Sequence, residues 1–167
     1  MPQISLVDRS LELAKVDFAP RHMQPSRARL VLASCAAIAG SLVADAALVA
    51  VGTAAFPSTK GYVHFQFHDY ARLTIIGVLI ACAGWPIVTR ISSAPRWLFF
   101  RLAILVTAVL LLPDLYILAK GQPAAGVAVL MIMHLLIAVI TYVALVLGAP
   151  VHARRDGPDE TGAQPVR

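Results

Sequence analysis

Four long apolar runs, at about 30–51, 70–91, 95–119 and 123–149, are separated by short polar breaks and account for most of the chain. Each is close to the roughly 20 residues that cross a hydrocarbon core as a helix. In lipid a helix leaves no backbone group unpaired, which is why it is the form such a run takes. The pattern therefore predicts an all-α, four-transmembrane-helix bundle. Ser92 and Ser93 stand as N-caps before the third run, and Pro95 suits its opening turn. Outside the transmembrane block at 30–149 lie an N-terminal segment, 1–29, and a polar tail, 150–167, whose Gly and Pro content reads as disordered. Within it, a loop at 52–69 and two short turns join the runs. The segment 4–16 alternates apolar and charged residues in a way that suits a short surface helix.

Composition agrees with the pattern. Of 167 residues, 59% are hydrophobic and 14% charged, and the mean hydropathy is +0.76. A water-soluble fold of this size could not bury so much apolar surface. The first run starts too deep in the chain for a cleaved signal peptide, so it is expected to remain as an anchor.

The 14 Lys and Arg residues orient the helices. Arg9, Lys15, Arg21, Arg27 and Arg29 precede the first run. Arg90, Arg96 and Arg101 flank the second break, and Arg154, Arg155 and Arg167 follow the fourth run. Only Lys60, Arg72 and Lys120 fall on the other side. The positive-inside rule then makes both termini cytoplasmic, with the plasma membrane as the expected location. The net charge of +5 follows from that topology. It fits an anionic lipid bilayer as partner and gives no basic folded face for nucleic acid.

Ionisable residues inside the apolar runs are the informative ones, since a charge at mid-membrane costs about 2.5–3.5 kcal/mol even on the lenient insertion scale. Asp45 and Asp114 lie towards the outer ends of the first and third runs, and His134 lies nearer the middle of the fourth. His68, Asp69 and Arg72 stand at the outer mouth of the second. Each helix thus brings a polar group to the outer half of the bundle. Helical spacing puts Ser34, Ser41 and Asp45 on one face of the first helix and His134, Thr141 and Tyr142 along one face of the fourth. Pro113 removes a backbone hydrogen bond next to Asp114 and predicts a kink. Simpler readings stand beside these: an interfacial Asp can be solvated or act as a cap, and His134 can be a neutral group joining two helices. Asp69 and Arg72 have the spacing of a local helical ion pair.

Other features read as structural. Cys35 and Cys82 are expected to be buried packing residues on different helices, with no metal site and no cofactor. Ala36, Gly40 and Ala44, with Ala33, Ala37 and Ser41, give the first helix small residues for close helix contact. Trp85 and Trp97 on the inner side, and Phe56, Tyr62, Phe65, Phe67, Tyr70 and Tyr116 on the outer side, are placed as interfacial belts. The run 62–68 alternates polar and apolar residues, as an extended strand or an interfacial aromatic lid would. In a helix, His64 and His68 would share a face.

The third-run ending Leu111-Leu112-Pro113-Asp114-Leu115 and the fourth-run stretch Leu130-Met131-Ile132-Met133-His134-Leu135-Leu136 resemble an uncharacterised family of four-helix membrane proteins common in actinobacteria. The resemblance implies the same fold and marks Asp114 and His134 as family-typical positions. It implies no activity.

Three functions remain open. The expected one is an outward-facing intramembrane polar pocket that binds a small or lipidic ligand or a proton. There Asp45 and Asp114 serve as acceptors and His134 as a relay, with His68, Asp69 and Arg72 as further candidates. The alternatives are a membrane-embedded enzyme acting on a lipid or isoprenoid, and an accessory or scaffold subunit. Four helices are few for a self-contained transporter, so transport would call for a homo-oligomer or a membrane partner.

Overall fold

The computed structural model describes residues 11–12, 15–17 and 22–153. The tail from 154 onward and most of the 4–16 segment expected as a surface helix lie outside the described residues. The described chain is an all-α bundle of four helices: α1 (Arg27–Ala55), α2 (Phe67–Ile91), α3 (Pro95–Ala119) and α4 (Ala124–Gly148). All four are long and apolar enough to cross a membrane, and the protein is a multi-pass membrane protein. Its 29-residue α1 would reach about 44 Å at about 1.5 Å per residue, more than a hydrocarbon core of about 30 Å, so it projects beyond the apolar slab.

Local chemistry sets the helix ends. Ser26 caps α1, its hydroxyl accepting from the Arg29 N–H at 3.3 Å. The α3–α4 connection is a Schellman turn, in which the Gln122 N–H donates to the Ile117 carbonyl and the Gly121 N–H to the Leu118 carbonyl. Gly121 takes a φ of +86° there, which a side chain would resist. The expected caps of α3 are corrected. Ala94 is the N-cap residue and gives no side-chain bond. The Ser92 hydroxyl instead accepts from the Ala94 N–H and donates to the Lys15 carbonyl. Helix α3 runs through Pro113 without a break, and α2 likewise runs through Pro86.

Packing centres on the antiparallel pair α1 and α4, and three close approaches define its register. A Cβ on Gly40 would come 3.1 Å from Ile140, one on Gly52 would come 2.8 Å from Val129, and one on Gly148 would come 3.0 Å from the Ala33 Cβ. Small residues let the two backbones meet, as the sequence anticipates, but the inward face of α1 is Ala33, Ala37, Ser41, Asp45 and Gly52, while Ala36 is exposed. The apolar core forms two clusters. One gathers Ala33, Ala37, Val78, Cys82, Trp85, Phe99 and Leu145; the other gathers Phe65, Tyr70, Ala71, Val129 and Met133. Large apolar side chains such as Leu32, Val43, Leu73 and Ile80 point outward, where lipid solvates them.

The end carrying both chain flanks is tied together by polar contacts. A two-stranded antiparallel ribbon joins β1 (His22–Met23) to β2 (His152–Ala153). Thr89 donates to Gln24 Oε1 at 2.7 Å, and Trp85 Nε1 donates to the Ala149 carbonyl at 2.9 Å. Trp85 is thus fully buried and is no part of an interfacial belt. Its indole N–H finds a carbonyl inside the bundle, so water is not needed to satisfy it. Phe65 and Tyr70 are buried as well, whereas Phe56, Phe67 and Tyr116 are exposed. Of the two cysteines, Cys82 is buried and Cys35 is exposed; Cys35 follows Ser34 on the outward side of α1.

Candidate functional site

Between the two apolar clusters lies a polar layer. On α1, Ser41 and Asp45 fall between Ala37 below and Leu48 and Val49 above; on α2, Thr74 falls between Ala71 and Val78. Asp45 is completely buried, and its Oδ2 accepts a 2.7 Å hydrogen bond from Thr74 Oγ1. This bond crosses from α1 to α2 and holds the carboxyl in one orientation. The other oxygen, Oδ1, has no hydrogen-bond partner among the described residues.

Asp114 and His134 join α3 to α4. His134 Nδ1 lies 3.0 Å from the Leu130 carbonyl of its own helix and 3.0 Å from Asp114 Oδ2. A carbonyl oxygen brings no hydrogen, so Nδ1 must carry one, and Nε2 is the nitrogen left to gain or lose a proton. The Nδ1–H is directed at the carbonyl. Asp114 Oδ2 sits close to it, yet has no aligned donor among the described residues. The Asp114 side chain is 7% exposed and that of His134 28%. Asp114 and His134 thus meet directly, and Asp45 on a third helix lies within electrostatic reach of the part-buried His134.

The loop between α1 and α2 covers this cluster with short helical turns, not a strand. Two 3₁₀ turns, Pro57–Thr59 and Val63–Phe65, replace the extended run that alternation suggested. Tyr62 and Phe65 meet edge to face, with ring centroids 5.2 Å apart. The Tyr62 ring packs on Gly126 so closely that a Cβ there would come within 3.1 Å of it. Burial and the Asp114 carboxylate hold the Tyr62 phenol above its ordinary pKa of 10.0. His64 faces the Tyr62 ring at a centroid distance of 5.2 Å and is also within the field of Asp114.

The remaining candidates stand apart. His68 Nε2 pairs with Asp69 Oδ1 at 3.2 Å at the exposed start of α2, and Arg72 is exposed. Asp69 thus sits against His68 in place of the expected Arg72. Tyr142 leaves the polar stripe of α4: it stacks on Phe99, and its hydroxyl donates to the Arg96 carbonyl at 3.4 Å. Thr74, Tyr62 and His64 were not singled out from the sequence as members of the cluster. Thr74 carried a legible signal, a hydroxyl one turn into an apolar run.

No protein-family model, curated protein or solved structure matches this chain.

Proposed function

We propose that the buried cluster is a binding site for a proton and, with it, a small or lipidic ligand, in a protein of the plasma membrane with both termini in the cytoplasm. Asp114 and His134 form the protonatable pair, and Asp45 is a second carboxylate within reach. The observation that carries this reading is the 3.0 Å approach of Asp114 Oδ2 to a His134 nitrogen whose hydrogen is already committed to the Leu130 carbonyl. That commitment leaves Nε2 to change charge. A charged imidazole would offset the charge of an ionised carboxylate beside it, so occupancy of the site and its protonation are linked. Asp45 from α1 and Tyr62 and His64 from the α1–α2 loop face the pair, while Thr74 and Tyr70 from α2 face Asp45. The positive-inside orientation puts the pocket on the outer side, beneath the Tyr62 cover. Membership of the four-helix actinobacterial family belongs to the same proposal, since its two motifs supply the pair.

The test is thermal stability in detergent of wild type, Asp114→Asn and His134→Gln, across pH and a panel of lipids and ions. A pH- or ligand-dependent gain in wild type that both variants lose supports the site. Variants that are merely less stable and respond as wild type does would make the residues helix-to-helix glue, and the scaffold reading would replace this one.

A further inference from the structure

Helical hydroxyls in this protein have a default. Ser34, Thr53 and Thr107 each donate to the carbonyl four residues earlier, at 2.8, 2.8 and 2.7 Å, as hydroxyls in apolar helices usually do. Thr74 and Thr89 donate to Asp45 and Gln24, whereas Ser41 and Thr141 do neither. Both are buried, at 0% and 4% exposure, and neither hydroxyl has a hydrogen-bond partner among the described residues.

These two hydroxyls belong to one place. The α1–α4 register matches Ala33 with Gly148, Gly40 with Ile140 and Gly52 with Val129, so Ser41 stands level with Thr141, beside the Gly40–Ile140 contact. Asp45 lies one turn from Ser41 on the same buried face of α1. Its Oδ1 is likewise without a hydrogen-bond partner, while Thr74 occupies Oδ2. Three buried oxygens, none with a hydrogen-bond partner among the described residues, therefore lie along the α1–α4 seam within about two helical turns.

We infer that the α1–α4 seam binds a small monovalent cation through Asp45 Oδ1, Ser41 Oγ and Thr141 Oγ1. The donor chemistry selects the class. Carboxylate and hydroxyl oxygens are hard ligands suited to alkali and alkaline-earth ions, not to metals that prefer sulfur or imidazole. Among the described residues no group of three His, Cys, Asp or Glu side chains could hold a metal ion. One carboxylate with two neutral hydroxyls balances a single positive charge, and a cation there offsets the cost of an ionised carboxylate in a dry interior. Oxygens that need a partner yet do not bond one another suit a shared ion better than a hydrogen-bond chain. The inference rests on reading the buried cluster as a binding site, but it does not need the Asp114–His134 pair to titrate.

The experiment measures thermal unfolding of the full chain in detergent at fixed pH and constant chloride, with sodium, lithium or potassium replacing choline. It is run on wild type, Ser41→Ala, Thr141→Val and Thr141→Ser, alongside direct binding of radioactive sodium. Wild type should be stabilised by at least one of the three alkali ions over choline. Ser41→Ala and Thr141→Val should weaken apparent affinity for that ion by about tenfold each, the loss expected when one ligand bond to a charged group is removed. Thr141→Ser, which keeps the hydroxyl, should bind close to wild type. Equal stability in all four salts, or an alkali-ion response unchanged in both hydroxyl-deleted variants, would overturn the inference. His134→Gln separates the two proposals: it should abolish the pH response of the pocket and retain the cation response.

Discussion

His134 on α4 and Asp114 on α3 meet at 3.0 Å, a polar joint between two helices whose outer faces are almost wholly apolar. Its contribution can be isolated with a double-mutant cycle of Asp114→Asn and His134→Gln, followed by reversible unfolding in mixed micelles. A coupling of about 0.5–3 kcal/mol is expected for residues in contact. Strict additivity would mean the approach is unproductive and that α3 is held by its other contacts.

Thr74 should matter through its hydroxyl. Its 2.7 Å bond is the one hydrogen bond to the fully buried Asp45 carboxyl among the described residues. Thr74→Val strips that donor and should cost about 1–3 kcal/mol, the range for a buried polar group left unsatisfied. Thr74→Ser keeps the donor and should cost clearly less. If the two substitutions destabilise equally in the same unfolding assay, shape and not the hydrogen bond is what Thr74 supplies.

Gly52 and Gly77 form a matched pair for testing the α1–α4 seam. A Cβ on Gly52 would come 2.8 Å from Val129, whereas one on Gly77 meets nothing within 4 Å. Gly52→Ala is expected to lower stability by about 1–3 kcal/mol through overpacking. Gly77→Ala should be neutral or stabilising by up to about 1 kcal/mol through helix propensity. Thermal melts of the two variants side by side check the contrast, and a harmless Gly52→Ala would show that the helices can part.

Tyr62 supplies a spectroscopic handle on the cover. Its phenol is held above 10.0 by burial and by Asp114, so the neutral form is favoured in the folded protein. The sign follows: this stabilisation is present below pH 10.0 and is lost as pH rises through the folded-state value. Tyrosinate absorbance should therefore show a late-titrating component that is reduced in Tyr62→Phe and shifts down in Asp114→Asn. Titration of every tyrosine at the ordinary value would mean that Tyr62 does not pack over the cluster.

Length and hydropathy along the chain were enough for the number of helices and for which of them carry Asp45, Asp114 and His134. α3 spans 95–119 as the apolar run does, because Pro95 opens it and the Lys120–Gly121 turn closes it, and both signals are local. α1 extends to Arg27 and Ala55, beyond the apolar run at each end, because an N-cap at Ser26 and continued backbone hydrogen bonding carry a helix past the edge of its hydrophobic window.

Rotation and register were not legible in the same way. In a soluble helix an apolar stripe marks the inward face; in these helices lipid makes both faces apolar and erases that mark. Cys35 and Trp85 were for that reason assigned to the wrong environments: Cys35 turns outward, and Trp85 turns inward to the Ala149 carbonyl. The steric contacts of Gly40, Gly52 and Gly148 across the seam decide which residues stand level. Those contacts exist only once two helices far apart in sequence have docked. The polar residues were therefore visible in the chain as costly exceptions to an apolar rule. The pairing of Asp114 with His134, of Asp45 with Thr74, and the level placement of Ser41 and Thr141 arise from packing, because no local pattern encodes the angle at which one helix meets another.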